Sequence, residues 1–280
     1  MPEGDTLRRM AATLAEVLVG REVTRARGRA GGPALGRVVG SRVERVESVG
    51  KHLLIGFGSG QTLHTHLRMR GSWHRYRPNE RWQRMPDRAV AVLEVPGAVA
   101  VCFDAPTVEL LDSRAVRIHP RLAALGPDLV EPSPDLGAAF RRLRAPELAA
   151  SPVGEALIDQ TVVAGLGNVY RSEVCFIERV DPFAPVGSFD DGTLRRLLLT
   201  ASRLLRANLR GPRTTMPDLL GGPVESDGPR GARRLWVYRR AGRPCRRCGT
   251  TIRVARGGAL QRSIYWCPKC QRLGLAPDIG

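Results

Sequence analysis

Four cysteines near the end of the chain stand as two C-x2-C pairs, Cys245 with Cys248 and Cys267 with Cys270, with eighteen residues between the pairs. That spacing matches a four-thiolate zinc site and constrains the fold more tightly than any other feature, because residues 249–266 must leave one pair and return to the other. Four thiolates fill a tetrahedral Zn²⁺ and leave no position for water or substrate, so one structural Zn²⁺ is expected. The returning segment presents Arg262 in Q-R-S-I-Y-W-C, beside Tyr265 and Trp266. A guanidinium there suits a phosphate; the plain alternative is one surface arginine among many.

The same end of the chain is strongly basic. Residues 230–280 hold thirteen Arg or Lys against one acid, Asp278, and so carry +12 of the formal net charge of +17 on 280 residues. With a pI of about 11.1, this balance points to a polyanion, nucleic acid ahead of an acidic membrane surface. No run approaches the ~20 apolar residues of a membrane span, and the first residues lack a signal-peptide core. A protein without a membrane partner that stays inside the cell is expected. Cys102 and Cys175 stand alone in apolar surroundings and read as buried thiols, so no disulfide framework is expected.

Forty-two of the 44 cationic residues are Arg, and the only lysines are Lys51 and Lys269. Lys51 opens the apolar run of V-G-K-H-L-L. Arg would serve equally well as surface charge, but Arg keeps its proton near neutral pH whereas a desolvated Lys releases it. Lys51 is therefore a candidate for proton transfer.

Residues 5–19 place Leu7, Met10, Ala11, Leu14, Val17 and Leu18 at helical spacing with Gly20 as a stop, which predicts one amphipathic opening helix. From 21 to 118 the chain turns to β-type runs, R-E-V-T-R-A-R-G, R-V-E-R-V-E-S-V-G, H-L-L-I-G-F, Q-T-L-H-T-H-L, A-V-A-V-L-E-V and A-V-A-V-C-F, which predict a sandwich or barrel. Proline-punctuated residues 119–134 read as a linker. Residues 135–232 read as helical, with starts at G-A-A-F-R-R-L-R-A, at Ser151-Pro152, at N-V-Y-R-S-E-V-C-F and over 190–210, then a Gly/Pro loop over 211–232. Residues 233–280 form the cysteine module.

Three further stretches carry candidate chemistry. The chain opens M-P-E-G-D-T; a small second residue lets Met1 be trimmed, leaving Pro2 as a secondary amine at a free chain end and a candidate nucleophile. The same stretch also reads as an ordinary helix start, with Asp5 or Thr6 as N-cap and Pro2 merely upstream. In A-G-L-G-N, two glycines and Asn168 precede a helix, a geometry that holds a phosphate or simply makes a tight turn. In H-L-R-M-R-G-S-W, Met69 lies between Arg68 and Arg70, either as an apolar wedge for a vacated base stack or as a core residue of a hairpin.

Together, M-P-E-G, V-G-K-H-L-L, L-G-P-D at 125–128, A-G-L-G-N-V-Y-R-S-E and R-S-I-Y-W-C-P-K-C-Q resemble, in order and spacing over nearly the whole chain, the formamidopyrimidine-DNA glycosylase and endonuclease VIII family. The resemblance implies an N-terminal two-sheet β-sandwich with its opening helix, a helix-two-turns-helix domain and a zinc finger, with DNA in the cleft between lobes. It implies a monomeric bacterial base-excision enzyme of the cytoplasm that removes a damaged base and nicks the strand through a Schiff base at Pro2. By position, Glu3 is then the acid/base at the sugar, Lys51 the proton donor in β-elimination and Arg262 the phosphate group of the δ step. Asn168 holds backbone phosphate, and Arg68, Met69 and Arg70 fill the gap left by the flipped nucleotide.

The chain departs from the family pattern at Thr6, where a second glutamate is usual. It also has V-E-L-L-D-S-R where the oxidised-purine branch has P-R-R-F-G. M-P-E-G and Y-W-C-P-K-C-Q lean to the endonuclease VIII branch, and hence to oxidised pyrimidines. The rival readings are an oxidised-purine glycosylase and a catalytically weak DNA-binding zinc-finger protein.

Overall fold

The opening pattern forms helix α1 (Gly4–Leu18) in the computed structural model, which describes residues 2–210, 213–215, 235–258 and 261–272. Leu7, Ala11, Leu14 and Leu18 recur on one face and are buried. The N-cap is Glu3, not Asp5 or Thr6: its backbone is extended, and its carbonyl accepts the N–H groups of Thr6 and Leu7 at 2.9 and 3.0 Å. Asp5 and Thr6 therefore lie inside the first turn, where the Asp5 carboxylate complements the positive helix end.

Eight strands follow: β1 (Arg25–Gly28), β2 (Val43–Val49), β3 (His52–Phe57), β4 (Gln61–His66), β5 (Ser72–Tyr76), β6 (Ala89–Val95), β7 (Ala98–Phe103) and β8 (Thr107–Asp112). They make two antiparallel four-stranded sheets, ordered β1-β6-β7-β5 and β2-β3-β4-β8. Alternation along β3 and β4 sends Leu53, Ile55, Phe57 and Leu63 into the core with Leu93, Ala100, Cys102 and the α1 stripe. The opposite face of that sheet carries His52, His64 and His66, and helix α2 (Ser113–Ile118) packs over it. β5 and β8 lie outside the expected strands, and R-E-V-T-R-A-R-G contributes a strand only over its last four residues.

The chain divides into compact units at 124/125. The expected linker at 119–134 is mostly structured: Pro120 opens the single turn α3 (Pro120–Ala123), and beyond it Gly126 N–H donates to Gln160 O at 2.8 Å. Residues 126–130 thus belong to the second unit, where Leu129 and Val130 are buried. A Cβ on Gly126 would meet the Val162 carbonyl oxygen at 2.4 Å, so this crossing requires glycine.

The second unit holds α4 (Leu136–Leu143), α5 (Val153–Ala156), α6 (Asn168–Ile177), α7 (Asp191–Ala207) and the hairpin of β9 (Arg253–Gly257) with β10 (Arg262–Trp266). The segment begun by Ser151-Pro152 is one turn long, because Asp159 accepts the Thr161 N–H at 2.8 Å and turns the chain. The cysteine module is part of this unit rather than a domain of its own. Cys245, Cys267, Cys270, Val237 and Ile252 share a core with Phe176 of α6, and Gln271 accepts from Cys267 N at 2.8 Å while donating to Val180 O at 3.0 Å. Most of the expected 211–232 loop lies outside the described residues. No described helix is long and apolar enough to cross a membrane.

Candidate active site and nucleic-acid interface

The first unit carries six of the expected residues. Pro2 is half-buried, and Glu3, at the start of α1, is fully buried. Lys51 is half-buried in the two-residue turn that joins β2 to β3, after Gly50 at φ 57°. A positive φ at the first turn position is the type II′ hairpin arrangement, which favours glycine there and fixes where the lysine emerges.

Arg68, Met69 and Arg70 form the turn between β4 and β5. Met69 is 66% exposed, which excludes the core reading. Arg84 steadies this turn, donating to Arg70 O at 3.3 Å while paired with Asp104 at 2.6 Å. The hydrogen bond from Arg88, with that of Arg84, holds the Asp104 carboxyl below the usual carboxylate range.

Sequence reasoning passed over four histidines of this unit. His52 Nδ1 lies 2.7 Å from His64 Nε2, and His64 Nδ1 lies 2.8 Å from Glu109 Oε2. His119 Nε2 reaches the same oxygen at 3.2 Å, and His66 stands edge-on to His52 with ring centres 4.8 Å apart. Burial, with neighbouring positive charge, lowers the His52 pKa to about 3 and that of His66 to about 4. The H-T-H spacing was visible, since residues two apart share a strand face. The register that sets Glu109 opposite His64 was not.

In the second unit, Asn168 begins α6 and its amide donates to Ser263 O at 2.7 Å, next to Arg262 at the start of β10. Arg171, one turn further along α6 and fully buried, binds Asn168 Oδ1, Ser263 O at 3.3 Å and Glu155 Oε1 at 2.5 Å. Asn168 and Arg262 are thus brought together through Ser263. Arg262 lines a cavity of about 310 Å³ with Ser151, Glu155 and Asp159. Arg171 and Glu173, which sequence reasoning passed over, are the buried charged groups that tie α6 to the segments around Ser263 and Trp236. The fully buried Glu173 carboxylate accepts the backbone N–H groups of Trp236, Val237 and Tyr238 at 2.7, 2.9 and 2.8 Å and the Thr215 hydroxyl.

The four cysteines converge. Cys248 and Cys267 sulfurs are 3.5 Å apart, those of Cys245 and Cys270 are 4.0 Å apart, and all four lie within 4.8 Å of one another. Tetrahedral thiolates on Zn–S bonds of about 2.3 Å stand roughly 3.8 Å apart, so the set fits a metal ion of that size. Arg247 N–H and Cys270 N–H donate to Cys245 and Cys267 sulfurs at 3.4 and 3.5 Å, the support a thiolate needs.

A helix-led two-sheet sandwich joined to a helical unit with a four-cysteine hairpin is the build of a base-excision DNA glycosylase. The model of the formamidopyrimidine-DNA glycosylase N-terminal domain matches residues 1–114, and that of its H2TH domain matches residues 125–218. A probable endonuclease 8 2 of Streptomyces coelicolor is 41% identical over 100% of this chain and 97% of its own. The DNA-(apurinic or apyrimidinic site) lyase Nei2 of Mycolicibacterium smegmatis is 40% identical over 97% and 99%. Lactococcus lactis Fpg, solved with DNA containing N7-benzyl-Fapy-dG, shares the fold at a TM-score of 0.78 and 21% identity over 97% of this chain and 100% of that one. The chain belongs to the formamidopyrimidine-DNA glycosylase family, alongside its endonuclease 8 relatives, and is a base-excision glycosylase and abasic-site lyase.

Proposed function

We propose that the protein removes oxidised pyrimidines from DNA and nicks the strand through a Schiff base at Pro2. The observation that carries this reading is the pairing at the chain start, where a proline that becomes a terminal secondary amine once Met1 is removed precedes a carboxylate, Glu3, with no solvent exposure. An unperturbed α-amino group has a pKa of about 7.7–8.0, so a neutral fraction is present at physiological pH.

The Pro2 nitrogen attacks C1′, the glycosidic bond breaks and the base departs with a proton. Glu3 protonates the ring oxygen as the sugar opens to an iminium. The Glu3 carboxylate left by that transfer takes the C2′ proton, the C2′–C1′ double bond forms and the 3′ C–O bond breaks, and the departing phosphate receives the proton that Lys51 supplies. Arg68, Met69 and Arg70 occupy the space of the flipped nucleotide, and Asn168 and Arg262 hold backbone phosphate, Arg262 serving the second elimination. Cys245, Cys248, Cys267 and Cys270 would hold a Zn²⁺ whose role would be structural, closing the hairpin that carries Arg262.

Borohydride reduction on an abasic oligonucleotide should leave a covalent adduct with the mature protein and none with protein retaining Met1. Equal yields refute Pro2 as the nucleophile. The same assay across thymine-glycol and 8-oxoguanine duplexes tests the lesion class, with faster thymine-glycol removal expected.

A further inference from the structure

The histidine cluster of the first unit takes no part in the chemistry above. We propose that His64, Glu109 and His119 form a second metal site, for a divalent first-row transition ion such as Zn²⁺, with His52 orienting the His64 ring. Their ligand atoms all lie within 4.8 Å of one another. His64 on β4 and Glu109 on β8 are directly opposite in the ladder, and His119 comes from the junction of α2 and α3.

Ligand atoms on bonds of about 2.0–2.2 Å, at angles near 90–110°, stand roughly 2.8–3.6 Å apart. The observed 2.8 Å from His64 Nδ1 to Glu109 and 3.2 Å from His119 Nε2 to Glu109 fall in that range. Two imidazoles and one carboxylate are the three-ligand set of zinc sites that keep an open position. The His64 side chain is fully buried whereas that of Glu109 is 40% exposed, so an ion enters from the Glu109 side.

The protons balance without a redox step. With no ion, His52 Nδ1–H donates to His64 Nε2 and His64 Nδ1–H donates to Glu109. With an ion, His64 offers its Nδ1 lone pair, its proton sits on Nε2 and donates to His52 Nδ1, and the His52 proton moves to Nε2. His119 likewise offers Nε2 and carries its proton on Nδ1. For His64 this is the usual arrangement around a bound metal, a ligating imidazole whose second nitrogen donates to a fixed partner; His119 Nδ1 is buried with no such partner among the described residues. Arg121 near His64, and Lys51 and Arg68 near His66, add positive charge. The site is therefore weaker than the four-thiolate site and fills second.

The test uses the full chain with its four-thiolate site already loaded. Zn²⁺ is added in stepwise excess, and native mass spectrometry counts ions while long-range ¹H–¹⁵N spectra follow the histidine nitrogens. The expected result is a second equivalent with a tautomer switch at His64; Glu109→Gln and His119→Gln each return the count to one, and His74→Gln, outside the cluster, leaves it at two. A single equivalent throughout with unchanged histidine signals overturns the proposal, as does a second equivalent that survives both Glu109→Gln and His119→Gln.

Discussion

The first unit holds all five histidines of the chain, and the second unit holds none. In the first, buried polar groups sit on one sheet face, where strand register gathers His52, His64, His66 and Glu109. In the second, buried polar groups join segments far apart in sequence: Glu173 binds residues 215 and 236–238, and Asn168 and Arg171 both bind Ser263. A hairpin module of this size cannot bury enough apolar surface to stand alone. It is fixed by buried hydrogen bonds, by the cysteines and by an apolar core shared with Phe176 of α6, whereas the sandwich is fixed by a core of its own. Chemistry at the sugar and grip on the backbone should accordingly be separable by mutation.

The largest separation is expected from Lys51→Arg, which keeps the charge and removes the titratable amine. Strand cleavage in single turnover should fall by about a hundredfold or more, the usual contribution of a positioned proton donor, while DNA affinity holds. A variant that loses affinity and cleavage together would merge the two roles and return Lys51 to surface charge. Zinc removal is the converse. Chelation should unfold the hairpin and lower DNA affinity, because metal binding and folding are coupled in so small a module. Amide exchange in α1 and the sandwich strands should stay unchanged; if it accelerates, the units are not independent. Metal analysis showing no zinc with all four thiols intact would remove the basis of this test.

A smaller effect is expected at Glu173. In Glu173→Gln an amide places its own hydrogens among four donors, leaving at least one buried N–H unmatched at a cost of about 3 kcal/mol. Urea unfolding of the second unit should shift by that amount and zinc release should quicken, with the Schiff-base step proposed for Pro2 intact.

The helix α1, the apolar strands and the four-cysteine site were legible in the sequence because each rests on a local period or a fixed spacing. β5 and β8 were not. S-W-H-R-Y and T-V-E-L-L-D are only partly buried strands at the sheet edges, and their apolar pattern is weak. The linker was misjudged because prolines mark where a chain turns, not whether it is docked. Arg171 and Glu173 were hidden for a related reason: each is defined by partners 92 and about 63 residues away, and nothing local distinguishes them from other charged residues of a helix. Met69 was ambiguous until its exposure was known, whereas Pro2 and Lys51 were candidates by chemistry whose roles came from the family resemblance.

The smallest effect is expected at Thr6, where the resemblance leads one to expect a second glutamate. Thr6 lies in the first turn of α1 with its hydroxyl 3.3 Å from Asp5 Oδ1, and it lines a groove of about 330 Å³ with Arg9, Met10, Trp73 and Arg75. A threonine supplies no carboxylate for lesion placement or proton movement during base loss, yet cleavage at an existing abasic site skips that step. Abasic DNA should therefore be cut faster than thymine glycol is removed. In Thr6→Glu the new carboxylate meets Arg9 and Arg75, which already pair with Asp5 at 3.7 Å and Glu16 at 2.9 Å. The groove can accept it, but exposed pairs of this kind are worth up to ~1 kcal/mol, so the rate gap should narrow by about fivefold at most. Paired single-turnover rates on an abasic site and a thymine-glycol duplex measure this directly. Equal wild-type rates on the two substrates would show that the missing glutamate has a substitute, and the fully buried Asp5 beside Thr6 is then the next residue to change.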